Sequence, residues 1–111
     1  MFRGIFGGSQ VAAVAPEEAK ARQAAGALVI DVREPSEWRA GHIAGATLIS
    51  LGTLAQRMHE LPRDREIVVV CQSGARSASA TRALQAAGFT RVYNLSGGML
   101  AWARQKLPIA R

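Results

Sequence analysis

Cysteine and histidine are scarce in this sequence. Its 111 residues include one cysteine, Cys71, and two histidines. A single cysteine excludes an internal disulfide and a redox pair of the CxxC type. These side chains are also too few for a structural zinc site, which usually takes four Cys or His ligands. The sequence therefore predicts a fold without covalent cross-links and without a bound metal.

Long apolar runs are missing as well. The apolar stretches are far shorter than the roughly 18–20 residues that span a bilayer. The first ten residues, MFRGIFGGSQ, contain no apolar stretch of signal-peptide length. We therefore expect a cytoplasmic protein without a membrane partner, with residues 1–9 as a flexible tail and residues 10–111 as a single domain. Alternatively, Phe2, Ile5 and Phe6 cover an apolar patch on a partner protein.

The chain has an excess of basic residues but few aromatic ones. Its formal net charge is +6, from 14 Lys or Arg and 8 Asp or Glu, and aromatic residues make up 5%. Nowhere do four basic residues fall together, and the aromatics do not alternate with basic residues as a stacking platform for nucleic acid requires. The pattern is typical of a solvated surface, and we expect no nucleic-acid partner.

Short apolar runs alternate with helical patterns along the chain. The clearest strand is EIVVVC (66–71), which is apolar, β-branched and too short for a helix. Further strands are predicted at 10–14, 27–32, 46–50 and 91–95. Helices are predicted at 16–25, 35–40 and 51–61, from about Ala80 to Gly88, and at 99–107. This alternation indicates an α/β fold with a largely parallel sheet that is covered on both faces.

The spacing of apolar residues predicts the buried side of three of these helices. In the helix at 51–61 the predicted buried residues are Leu51, Leu54, Ala55, Met58 and Leu61. In the helix that runs to Gly88 they are Ala80, Ala83, Leu84 and Ala87. In the last of them, at 99–107, the predicted residues are Met99, Trp102, Ala103 and Leu107.

A parallel sheet binds its ligand beyond the carboxyl ends of the strands, so the residues that directly follow strands are the candidates for chemistry. Cys71 ends the most apolar strand, and a tight loop leads from it to a helix. The loop residues are Gln72, Ser73, Gly74, Ala75, Arg76 and Ser77.

The loop has the composition of an anion cradle. Free N–H groups of a curled loop and of a helix start attract negative charge, and Arg76 adds a positive charge. Such surroundings stabilise a thiolate and lower the pKa of a cysteine from about 8.5. The alternative is an unreactive buried cysteine, but such a residue does not need a glycine-containing, serine-rich loop. The pattern favours a nucleophilic thiolate.

Four spaced motifs resemble the single-domain rhodaneses, the thiosulfate sulfurtransferase family. The pattern C-x-x-G-x-R-S at 71–77 is similar to the family's active-site loop. The segments LVIDVREPSEW (28–38), GHIAGA (41–46) and LSGGMLAW (95–102) resemble its DVR-E, GHI-x-GA and L-x-GG-x-x-x-W motifs. The motifs occur in the expected order over about residues 10–107. Gln72 stands where many relatives have a basic residue, which affects donor preference, and Ala44 stands where many have proline.

The resemblance implies a rhodanese-like α/β fold, with a five-stranded, mostly parallel sheet and helices on both faces. It also implies a catalytic Cys71 that carries a persulfide, with the following loop as the substrate-binding site. The implied partners are a small anionic sulfur donor, such as thiosulfate, and a thiol or cyanide acceptor; no cofactor is required. A protein sulfur acceptor, and hence a sulfur relay, stays open because it uses the same persulfide.

Two further functions are compatible with this fold. Phosphatases and arsenate reductases use a longer C-x5-R loop around a tetrahedral oxyanion, whereas Cys71 and Arg76 are separated by four residues. Non-catalytic interaction modules resemble rhodanese-like domains that lack the cysteine, and the presence of Cys71 argues against that reading.

Other candidates flank the cysteine loop. Asp31 and Arg33 follow a strand at the same predicted edge; from the resemblance we expect them to brace the loop, and an ordinary surface ion pair is the alternative. His42 is a weaker candidate for a general base, since thiolate attack on a sulfane sulfur needs none. Gly97 and Gly98 are expected to let the backbone pass close to the loop, and the alternative is that they only form the turn before the last helix.

Overall fold

The computed structural model of the protein describes residues 11–111. The predicted tail, with Phe2, Ile5 and Phe6, lies outside this range, as does Gln10 of the first predicted strand. Within the described range the chain forms five strands, each shorter than predicted. They are β1 (Ala13–Val14), β2 (Leu28–Asp31), β3 (Thr47–Leu48), β4 (Ile67–Val70) and β5 (Val92–Leu95).

The α-helices lie between and after these strands. They are α1 (Pro16–Ala24), α2 (Pro35–Ala40), α3 (Leu54–Arg57), α4 (Ala75–Ala86) and α5 (Gly98–Arg104). Proline stands in the first turn of α1 and α2, where its missing N–H leaves no helical bond unmade. Among residues 11–111, no helix has both the length and the apolar character that a membrane span requires.

The strands form one sheet in the order β1-β5-β4-β2-β3, and every pair in it is parallel. The four residues of the central strand β4 are 0% exposed. Ile67 and Val69 pack with Leu84 of α4 on one face, and Val68 and Val70 belong to the cluster of Trp102 of α5 on the other. Helices therefore cover both faces, and the predicted fold class is confirmed.

The helix predicted at 51–61 is interrupted. The chain makes a 3-10 turn at Leu51–Thr53, a single α-helical turn in α3, and a second 3-10 turn at Met58–Glu60. The junction residues Thr53 (φ −113°, ψ 0°) and Arg57 (φ −106°, ψ 3°) lie outside helical geometry. The Thr53 hydroxyl donates to a carbonyl three residues back at 3.1 Å, a local bond of the kind that competes with regular helix.

Four alanines that were predicted to be buried are exposed: Ala55, Ala83, Ala87 and Ala103. The buried residues of α4 are instead Ser77, Ala80, Thr81 and Leu84. A hydrophobic pattern overlooks Ser77 and Thr81 because they are polar, yet both have partners inside the fold. The Thr81 hydroxyl, for example, donates to the Ser77 carbonyl at 2.7 Å.

We predict that Leu84→Ala lowers the free energy of unfolding by about 2–5 kcal/mol, because it leaves a cavity in the cluster between α4 and the sheet. The matched control is Gln85→Ala on the exposed side of the same helix, which should change stability by less than about 0.5 kcal/mol. Urea denaturation followed by circular dichroism measures both. Equal losses in the two variants would contradict the packing described here.

Candidate active site

Cys71 directly follows β4, and its sulfur lies inside the loop that leads to α4. The residue is 0% exposed. Its Sγ accepts a hydrogen bond from the Gly74 N–H at 3.1 Å, and the Ser77 Oγ lies 3.3 Å from it. Gly74 precedes α4 with φ +108°, in the left-handed region that glycine adopts without strain. The loop thus curls back on the sulfur, as predicted from the sequence.

The start of α5 holds the other side of the loop. The Met99 N–H donates to the Cys71 carbonyl at 2.8 Å, and the Leu100 N–H donates to the Gln72 carbonyl at 3.1 Å. A Cβ at Gly98 would overlap the Cys71 carbonyl oxygen, so this approach requires glycine. The expected close passage of the backbone at Gly98 is therefore present.

A polar side chain on β5 completes the surroundings of the sulfur. Asn94 is 8% exposed, and its Nδ2 donates to the Gly74 carbonyl at 3.2 Å. The Ser77 hydroxyl donates to the Asn94 Oδ1 at 2.5 Å. Sequence reasoning missed Asn94. The sequence feature that could have identified it is an amide side chain inside an apolar strand, where asparagine is unfavourable without a hydrogen-bond partner.

The environment of the thiol acts on its pKa in two directions. Burial raises the pKa of Cys71. Hydrogen bonding to the Ser77 hydroxyl and to the N–H groups of Ser77, Gly74 and Ser73 lowers it. The donors outweigh burial, so the pKa of Cys71 lies below its ordinary value.

Arg76 is held by a residue that sequence analysis did not identify. Its guanidinium donates to both carboxylate oxygens of Glu37 on α2, at 2.8 and 2.9 Å. This bidentate pair holds the pKa of Glu37 at about 2 and raises the pKa of Arg76. A negative charge on Cys71 also raises the pKa of Arg76, so the two groups interact electrostatically. The positive charge expected at the loop is present but shared with Glu37.

Asp31 and Arg33 form a buried pair, so the alternative of an ordinary surface pair is wrong. Their side chains are 0% and 4% exposed, and they approach to 2.9 Å. Arg33 also donates to the Gly41 carbonyl at 2.7 Å and to the Gln72 Oε1 at 3.3 Å. The pair therefore connects the end of β2 to the cysteine loop through the Gln72 side chain.

The remaining candidate, His42, lies away from the cysteine loop. The His42 ring stacks on Trp38 with ring centroids 3.6 Å apart, and its Nδ1 lies 2.8 Å from the Trp38 carbonyl oxygen. The His42 backbone pairs with Ala110. Its described contacts are thus with α2 and the end of the chain, not with the cysteine loop.

The outer side of the loop faces solvent. Ser73 and Ala75 are exposed. A cavity of about 200 Å³ lies beside Gln72, between Arg33 and the apolar side chains of Leu100 and Ile109. In the part of the chain that the structure describes, no group of three or more His, Cys, Asp or Glu side chains is placed to hold a metal ion.

Known proteins share this sequence and fold. A sulfurtransferase of Allochromatium vinosum is 45% identical over 82 residues, which are 74% of this chain and 77% of the relative. The thiosulfate sulfurtransferase GlpE of Pseudomonas entomophila is 38% identical over 94 residues, covering 85% of this chain and 86% of the relative. A crystal structure of a rhodanese-related protein from Thermoplasma volcanium superposes with a TM-score of 0.84 at 29% identity, over 89% of this chain and 97% of the other.

The family comparison covers most of the described chain. The model of the rhodanese-like domain matches residues 15–105. This range includes all of β2 to β5 and the whole cysteine loop. The chain therefore belongs to the rhodanese-like domain family.

Proposed function

We propose that this protein is a sulfurtransferase that moves a sulfane sulfur from thiosulfate, or a similar small anionic donor, to a thiophilic acceptor through a persulfide on Cys71. One observation carries the proposal: the sulfur lies within a loop whose Gly74 N–H donates to it at 3.1 Å. The names of the relatives, sulfurtransferase and thiosulfate sulfurtransferase, support sulfur transfer as the reaction class.

In the first step the Cys71 thiolate attacks the outer sulfur of thiosulfate. A bond forms between Sγ and that sulfur, the S–S bond of thiosulfate breaks, and sulfite leaves with the bonding electron pair. No proton needs to be removed in this step, because the nucleophile is already the anion. The lowered pKa of Cys71 supports this step, since it increases the thiolate fraction at neutral pH.

In the second step an acceptor removes the sulfur. Cyanide or a thiolate attacks the terminal sulfur of the persulfide, the S–S bond to Sγ breaks, and the Cys71 thiolate returns with its electron pair. The terminal sulfur is the anionic atom between the steps, and we assign the loop N–H groups to its stabilisation. The cycle uses two covalent half-reactions and no cofactor, so ping-pong kinetics are expected.

The surrounding charge pairs are assigned supporting roles. Arg33 and Asp31 hold Gln72 in place and do not take part in bond making. Arg76 supplies a positive field at the loop, reduced by its pairing with Glu37. Ser73 and Ala75 are small and exposed, so they add little bulk on the solvent side of the loop.

A protein acceptor would use the same persulfide, and the proposal includes it as an alternative to a free thiol or cyanide. We place the reaction in the cytoplasm, because a free and reactive thiol persists in a reducing compartment. A pull-down with the persulfidated protein distinguishes a relay from an enzyme that acts on small molecules only.

We predict that the wild-type protein forms thiocyanate from thiosulfate and cyanide and that Cys71→Ser forms none. The serine hydroxyl is a far weaker nucleophile at neutral pH than a thiolate. The colorimetric thiocyanate assay measures the rate, and circular dichroism checks that the variant is folded. Thiocyanate formation by folded Cys71→Ser at the wild-type rate would refute the proposed mechanism.

We predict that the Cys71 thiol titrates below about 8.5, the value of an unperturbed cysteine. The ultraviolet absorbance of the thiolate measures the midpoint, with Cys71→Ser as the baseline. The protein unfolded in urea is a matched control, because its single cysteine then titrates as a model thiol. Since the folded pKa is the lower one, the group's contribution to stability is fully present above the unfolded pKa. It is lost as the pH falls through the folded pKa. A titration midpoint of the folded protein at or above that of the unfolded protein would show that the loop does not stabilise the thiolate.

We predict no Cys71-dependent release of phosphate from an aryl phosphate under conditions in which thiosulfate is consumed. A transferring phosphoryl group has three equatorial oxygens and needs a wider ring of donors than a single sulfur atom. The loop has only four residues between Cys71 and Arg76, and that arginine is bound to Glu37. Phosphate release at a rate comparable to thiocyanate formation would favour the hypothesis that the protein is a phosphatase.

A further inference from the structure

The Ser77 hydroxyl has two possible partners but only one proton. Ser77 is 0% exposed, so its hydroxyl is shielded from bulk solvent. Its Oγ lies 2.5 Å from the Asn94 Oδ1 and 3.3 Å from the Cys71 Sγ. A hydroxyl donates one hydrogen bond and accepts up to two. It therefore cannot donate to the amide oxygen and to the sulfur at the same time.

The orientation of the Asn94 amide decides which partner receives the proton. Its other end faces the Gly74 carbonyl oxygen at 3.2 Å, and only the NH2 group can donate there. The Oδ1 therefore faces Ser77, and an amide oxygen is only an acceptor. The proton between these two oxygens must come from Ser77. The side of Ser77 Oγ that faces Cys71 then carries a lone pair, which accepts from the thiol S–H.

We propose that Asn94 is a positioning residue that holds the Ser77 hydroxyl proton away from Cys71, so that Ser77 accepts a hydrogen bond from the thiol and donates to the sulfur only once the thiolate has formed. When the thiol ionises, its proton passes to water and the hydroxyl rotates about its Cβ–Oγ bond. The bond to Asn94 is then exchanged for one to the sulfur. The significance for turnover rests on the proposed sulfur transfer at Cys71.

The consequence is that Asn94 opposes ionisation of Cys71. In the thiolate state the Ser77 hydroxyl must give up a short bond to the amide oxygen before it can stabilise the sulfur. The same residue supports the loop through the Gly74 carbonyl. Removing Asn94 should therefore free the hydroxyl and favour the thiolate, whereas the loss of a purely structural support would not act through Ser77.

The charged groups around the sulfur are the same in every variant of the test. They are Arg76 of α4, which is paired with Glu37 of α2, and Arg33, which is paired with Asp31 at the end of β2. Glu34, before α2, also acts on Arg76. None of these residues bonds to Asn94 through its side chain, so a shift on changing Asn94 does not come from a broken ion pair.

A double-mutant cycle tests the proposal through the pH dependence of the thiolate absorbance. The proteins are the wild type, Asn94→Ala, Ser77→Ala and the double variant, with Cys71→Ser as the baseline. We expect Asn94→Ala to lower the midpoint by about 0.5–1 pH unit, because the freed hydroxyl donates to the thiolate. In the Ser77→Ala background, the same substitution should leave the midpoint unchanged.

Two results would overturn the proposal. One is a midpoint that rises or stays constant in Asn94→Ala. The other is an equal shift in both backgrounds, which would assign Asn94 only to the support of the loop. Asn94→Leu keeps the approximate volume of the side chain and removes both of its hydrogen bonds. If the alanine variant does not fold, the leucine variant replaces it, and the same shifts of the midpoint support or overturn the proposal.

The S–H stretching band tests the resting state without changing Asn94. The single cysteine gives one band, and a thiol that donates to an oxygen absorbs at a lower frequency than a free one. We expect a lower frequency in the wild type than in Ser77→Ala, and equal frequencies would refute the assigned direction. Both measurements are independent of turnover. Loss of thiocyanate formation would thus refute the proposed function and leave the role of Asn94 to be decided separately.

Discussion

The position of the sulfur depends on the hydrogen bonds that β4 makes with a strand on each side. β2 pairs with it from Leu28–Ile67 to Asp31–Val70, and β5 pairs Asn94 with Val69. Because β4 is fully buried between them, the residue that follows it has little freedom. The register also brings Asn94 beside the first turn of α4. The pairing of the strands thus fixes the positions of both the nucleophile and its polar neighbours.

Local patterns in the sequence were sufficient to predict much of this arrangement. The apolar run at 66–71 and the loop that follows it identified the central strand and the cysteine. The paired glycines at 97 and 98 indicated a close backbone approach, and Gly98 provides it. These features are predictable because a strand, a tight turn and a helix start each depend on residues that are adjacent in the chain.

The residues that were missed act over long sequence separations. Glu37 meets Arg76 from 39 positions away, and Asn94 meets Ser77 from 17 positions away. Neither pair can be deduced from spacing alone, because each depends on how helices and strands pack. The burial of Asp31 and Arg33 was also beyond local patterns. A pair at a strand end is buried only when neighbouring loops cover it, and a local pattern does not show whether they do. Removing one partner of such a buried pair is strongly destabilising.

The pairing of β1 with β5 has a consequence for the order in which the molecule assembles. Ala13 lies opposite Asn94, so the sheet joins the first strand in the chain to the last one. We expect contacts between such distant segments to form late, because the entropy cost of closing a long loop must be met before the strands can pair. Until β5 and α5 are in place, the Cys71 and Gln72 carbonyls lack their N–H donors and Ser77 lacks its amide partner. A chain caught before that point keeps only the local bonds of the cysteine loop, such as that of the Gly74 N–H to Sγ, so the full geometry of the site reports completed folding.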